Sequence, residues 1–158
     1  RKTLPREAVL DSLRRSARAL EALADFEAAF DLYAEGEDWD RAEALIATRA
    51  AGLLAAGRWK TVLTWVDLMP SSRVADSPGL LLWKGLAVSA ATPVDARPIL
   101  GDAYEAADRL RDSRTCLFAA AAMVDTYLLE YTNFLGIDAW LDRVVVPLES
   151  ADRPREDG

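Results

Sequence analysis

The sequence predicts an all-α protein built as a right-handed stack of about four antiparallel helix hairpins. Three observations predict it. Of 158 residues, 29 are Ala, the strongest helix former, against 8 Gly and 7 Pro. No stretch alternates apolar with polar residues, and no Asn-Gly or Asp-Gly pair joins two apolar runs, so no strand is expected. Bulky apolar residues following small or polar ones recur at Phe26, Trp59, Val94 and Phe134, at intervals of 33, 35 and 40.

Eight helices follow from the punctuation. Thr3-Leu4-Pro5 opens the first, whose stripe is Val9, Leu13, Ala17 and Leu20. Asp25 starts the second, with Phe26, Ala29, Phe30 and Tyr33 on one face. Asp38 caps the third, which runs through Ala42, Ile46, Ala50 and Leu53 to the break at Gly57. The fourth carries Trp59, Val62, Leu63, Val66 and Met69, and Pro70 ends it. Residues 70–77 read as the longest irregular segment.

Ser77-Pro78 pairs a cap with a first-turn proline and opens the fifth helix, which is apolar nearly all round and therefore expected between neighbours. Thr92-Pro93 or Asp95 starts the sixth. Asp112-Ser113 opens the Ala-rich seventh, and Asn133 caps the eighth, with Phe134, Ile137, Leu141, Val144 and Leu148 on one face. The helical domain is expected over 1–149, with a polar tail at 150–158. The first residue is Arg and the end is polar, as in a piece taken from a longer protein.

Composition narrows the function. The net charge of −7 and the dispersed Lys and Arg argue against direct nucleic-acid contact, which depends on cations neutralising phosphates. No apolar run approaches the roughly 20 residues needed to cross a bilayer, and a single cysteine fits a reducing, cytoplasmic setting. With no histidine, the commonest general base and metal ligand are both missing. No cofactor or metal is expected, and the chain reads as a non-enzyme.

Three candidate motifs have ordinary explanations. Gly57-Arg58-Trp59-Lys60-Thr61 ends in Lys-Thr but lacks the glycine a phosphate loop needs before its lysine. The acidic runs at Glu35 to Asp40 and at Asp102, Glu105 and Asp108 read as solvated faces and caps. Cys116, in an apolar helix, reads as a buried thiol.

A period near 34 is that of tetratricopeptide-type repeats, although the strict consensus is not met. Ala42 to Leu54, Trp65-Val66-Asp67-Leu68-Met69-Pro70 and Ser77-Pro78-Gly79-Leu80-Leu81-Leu82-Trp83 together resemble the helical-repeat region of MalT-type bacterial transcriptional regulators. The segment from Ala121 to Tyr127, with Tyr131, Asn133, Phe134 and Asp138-Ala139-Trp140-Leu141, is similar too, while Met69 interrupts the Leu-Pro phrase. The resemblance implies a middle module that senses a small effector or protein partner, with ATPase and DNA-binding domains elsewhere. The alternative is an interaction scaffold without a regulatory ligand. Trp83, Lys84, Asp125, Tyr127 and Glu130 are the candidate groove residues, because first helices of stacked pairs line a concave surface.

Overall fold

The computed structural model describes residues 5–131 and 133–151, and every element among them is a helix. Thr3, Leu4 and residues 152–158 of the expected tail lie outside the described residues. The helices are α1 (Arg6–Ala22), α2 (Phe26–Glu35), α3 (Trp39–Ala55), α4 (Trp59–Leu68), α5 (Ser71–Asp76), α6 (Pro78–Ser89), α7 (Pro93–Arg109), α8 (Ser113–Glu130) and α9 (Ile137–Ala151). They fall into two compact units, divided after Arg73.

In the first unit α1 packs on α2, α2 on α3 and α3 on α4. α1 and α3 have 17 residues each, α2 and α4 have 10 each, and both pairs are offset by 33 positions. Burial follows the same offset. Ala17 and Ala50, Ala29 and Val62, and Tyr33 and Val66 are all fully buried. The core centres on Phe30, whose ring stacks on Trp65 at 4.7 Å between centroids and 11° between planes. The stripe expected on α4 left out Trp65. It lies three residues after Val62 and four before Met69, which is helical spacing, and it is buried with them.

Four connections share one turn. Ala24, Glu37, Gly57 and Arg111 adopt positive φ, at 62°, 52°, 74° and 57°. In each, the following amide donates back to the carbonyl five residues earlier: Asp25 to Leu20, Asp38 to Tyr33, Arg58 to Leu53 and Asp112 to Ala107. This is the Schellman closure of a helix C-terminus. The donating residue is also the N-cap of the next helix, so three residues separate the end of one helix from the start of the next. Asp25 and Asp112 cap through their carboxylates, accepting from the amides of Ala28 and Thr115. Asp38 holds the cap position without that bond.

Tyr33 closes the α1–α2 pair from within. Its hydroxyl donates to Glu21 Oε2 at 2.5 Å. Burial, reinforced by Glu21, pushes its pKa up to about 12. Between pH 10 and 12 the folded chain therefore holds a proton that the unfolded chain releases. Stability from this site is complete below pH 10 and is lost as pH rises through 12. Urea unfolding of Tyr33→Phe should show a shallower loss over that range than the wild type.

In the second unit α6 packs on α7, α7 on α8 and α8 on α9, and α6 also reaches α8. Leu82, Ala96, Leu100, Ala103, Ala119, Ala122 and Met123 form its core. α6 is buried on two opposite sides, by Pro78, Leu82 and Gly85 on one and by Leu80 and Ala87 on the other, as its all-round apolarity predicts. Gly85 allows the closest approach: a Cβ there would lie 2.5 Å from Leu100 Cδ2.

Two sequence expectations need correction, and one open choice is decided. The segment expected to be irregular holds α5, where Arg73 pairs with Asp40 at 2.7 Å and Glu43 at 3.1 Å. Of the two starts open for the next helix, Thr92-Pro93 is the one taken: α7 begins at Pro93, and Pro98 lies inside it on its exposed side. Asn133 does not cap the last helix. Its side chain instead accepts from the amide of Leu135 in a local turn, and α9 begins only after Gly136, at φ 92°. Phe134 is consequently half-exposed in the connection. The side chain of Leu148 lies outside the described residues.

Candidate functional site

The structure divides the five groove candidates. Trp83 and Lys84 sit half-buried on α6, and Asp125 is exposed on α8. Tyr127 lies two residues further along, about 200° round the helix from Asp125. Tyr127 and Glu130 are brought together, and the residue that joins them is Arg97 of α7. Its Nε donates to Thr126 Oγ1 at 3.1 Å and its Nη2 to the Thr126 carbonyl at 3.3 Å. The same Nη2 pairs with Glu130, and the guanidinium lies 3.9 Å from the centre of the Tyr127 ring. Thr126 is fully buried, and its hydroxyl donates to the Met123 carbonyl at 2.7 Å.

This cluster is a clasp between α7 and α8. Its ionic groups are mostly buried, at 17% exposure for the Arg97 side chain and 25% for Glu130, and they satisfy one another. Replacing Arg97 by Ala leaves Glu130 without its cation and uncovers the Tyr127 ring, and is expected to cost about 2–3 kcal/mol. Glu130→Gln, which keeps a hydrogen-bonding oxygen, should cost about 1 kcal/mol in the same urea titration. Equal and negligible losses would show that the clasp contributes nothing to stability.

Open clefts among the described residues lie elsewhere. In the first unit a cleft of about 290 Å³ is lined by Phe26, Glu27, Arg49, Leu53, Arg58 and Trp65, among others. Arg49 stacks on Phe26 at 3.6 Å, and Arg58 pairs with Glu27 at 2.6 Å. In the second unit a cleft of about 380 Å³ runs between α7 and α9. Gly101, Tyr104, Glu105 and Asp108 share one stripe of α7, at helical spacings of three, four and seven. Trp140 and Arg143 face it from α9.

Tyr104 and Trp140 meet edge to face, 5.4 Å between centroids and 89° between planes. The Arg143 guanidinium stands 5.0 Å from the Tyr104 ring centre and 4.2 Å from that of Trp140. The sequence reading missed this cleft because Glu105 and Asp108 looked like an ordinary solvated face. The available signal was Tyr104 set among them, matched by Trp140 and Arg143 three residues apart.

Cys116 lies nearby, half-buried, with its thiol 3.8 Å from the Tyr104 carbonyl. Burial first, and the charges of Asp108 and Asp112 second, push its pKa up, which disfavours the thiolate a nucleophile needs. Hydrogen bonding from Thr115 holds Asp112 below the usual carboxylate range, as its capping role requires. Among the described residues no group of His, Cys, Asp and Glu is arranged to hold a metal ion, and no helix is long and apolar enough to cross a membrane.

Comparison with family models, curated proteins and solved structures gave no match.

Proposed function

We propose that the chain is a helical-repeat binding module, a right-handed stack of hairpins serving as the effector- or partner-binding segment of a MalT-type transcriptional regulator. The observation that carries the reading is the 33-residue offset relating α1–α2 to α3–α4 in length, turn geometry and burial. A unit that recurs at that period and packs on its sequence neighbours is the mark of repeat proteins, whose work is to present surface. Helix-to-helix clefts of a few hundred cubic ångström suit small ligands.

On this reading the site is non-catalytic, the protein works in the cytoplasm, and the ATPase and DNA-binding parts belong to other domains of the same protein. A second reading, a scaffold that binds another protein without a regulatory ligand, is favoured by one observation. Leu128, Leu129, Phe134, Leu135, Leu141 and Val145 leave apolar surface uncovered around α8 and α9.

Two measurements test the proposal. The coding sequence flanking the chain should contain a nucleotide-binding ATPase, and finding none would favour the scaffold. A thermal-shift screen of the chain against soluble metabolites and amphipathic helical peptides should yield saturable stabilisation. Turnover of any screened compound would overturn the non-catalytic reading.

A further inference from the structure

The cleft between α7 and α9 holds opposite charges apart. Glu105 and Asp108 stand on the α7 wall, with Arg109 beside them, and Arg143 stands on the α9 wall. None of these four groups takes an ion pair at 4.0 Å or closer among the described residues. Arg143 is held instead by its two aromatic neighbours. A guanidinium stacked on a ring keeps its N–H donors directed outward from the edge of its plane, where they match the two oxygens of a carboxylate. The cleft volume of about 380 Å³ is that of a small-molecule pocket.

The balance of charge selects the ligand. A net cation entering the cleft meets two guanidinium groups, and a net anion meets two carboxylates. A molecule bearing both charges finds an opposite partner at each end. We propose that this cleft binds a small zwitterion of the α-amino-acid type. The ammonium group pairs with Glu105 and Asp108, the carboxylate takes the Arg143 fork, and the side chain rests on Trp140 and Tyr104. The inference rests on the binding-module reading and names the ligand class for one of its clefts.

Isothermal titration of the whole chain with each of the twenty common amino acids tests it. At least one should bind with one-to-one stoichiometry. The amide of that amino acid, which lacks the carboxylate, and its deaminated acid, which lacks the ammonium, should each bind about tenfold more weakly or worse, one factor of ten being 1.4 kcal/mol. Arg143→Ala, and separately the double change Glu105→Gln with Asp108→Asn, should weaken binding by a similar factor. Arg143→Lys should restore it only in part, because the fork is lost.

All three positions are exposed, so the variants should keep the wild-type helical circular dichroism. Binding of no amino acid would overturn the proposal. So would an amine that binds as well as the amino acid, or an affinity unmoved by both sets of variants. None of these results touches the module reading, which the wider screen judges separately.

Discussion

Trp65→Ala is expected to lower the stability of the first unit by about 3–5 kcal/mol, the range for emptying the place of a large buried aromatic. Trp65 is only 4% exposed, and its partner Phe30 is fully enclosed. Their parallel stacking adds about 0.5–1.5 kcal/mol beyond the buried area. A double-mutant cycle isolates that part. Phe30→Ala and Trp65→Ala together should cost less than the sum of the two alone, since each removes the same contact. Urea unfolding followed by circular dichroism gives the values. Trp59, half-buried at the start of α4, is the control, and its loss should cost well under half as much. Equal costs at the two positions would refute the central place given to the stack.

Gly85 and Gly52 both lie inside helices, yet the same substitution should act with opposite sign. At Gly85 a Cβ would fall 2.5 Å from Leu100 Cδ2 and 2.8 Å from its Cγ. Leu100 is fully buried and has nowhere to turn. Gly85→Ala should therefore lose about 1–2 kcal/mol net of the helix-propensity gain, and Gly85→Leu about 3 kcal/mol. At Gly52 a Cβ would meet nothing within 4 Å, so Gly52→Ala should stabilise by about 0.5–1 kcal/mol. Thermal or urea unfolding decides both signs. A stabilising Gly85→Ala would mean that α6 and α7 can move apart without loss.

Helix class and most boundaries were legible because their determinants are local. Asp25, Ser77 and Asp112 each accept the backbone amide three residues on, as capping residues do. The turns at Ala24, Glu37 and Arg111 were legible only as breaks, since nothing in an Ala, Glu or Arg announces positive φ. α5 was hidden because a short helix held by Arg73 on Asp40 and Glu43 depends on partners thirty residues away. The start of α9 was misplaced because Asn133 makes a tight local turn and a cap with equal ease.

Of the candidate groove residues, Tyr127 and Glu130 share a clasp with Arg97, which the sequence reading did not name. A half-buried arginine carries no local sequence sign of the partner it will meet. The α7–α9 cleft depends on two helices lying together, and spacing along either of them is silent about that. The exposed apolar side chains around α8 and α9 were likewise invisible, because a stripe alone does not say what covers it.

The shared turn has a consequence for how such a chain tolerates insertions and deletions. Where the closing amide of one helix is also the capping residue of the next, the connection has no slack. One residue inserted within α3 would turn everything beyond it by about 100° before α4 begins, carrying Val62, Trp65 and Val66 off their side of the core. Length changes inside α2 or α3, each bounded by a shared turn at both ends, would therefore be absorbed only near multiples of a helical period. The six-residue connection between Glu130 and Ile137, twice the length of the shared turns, should absorb single-residue changes in length.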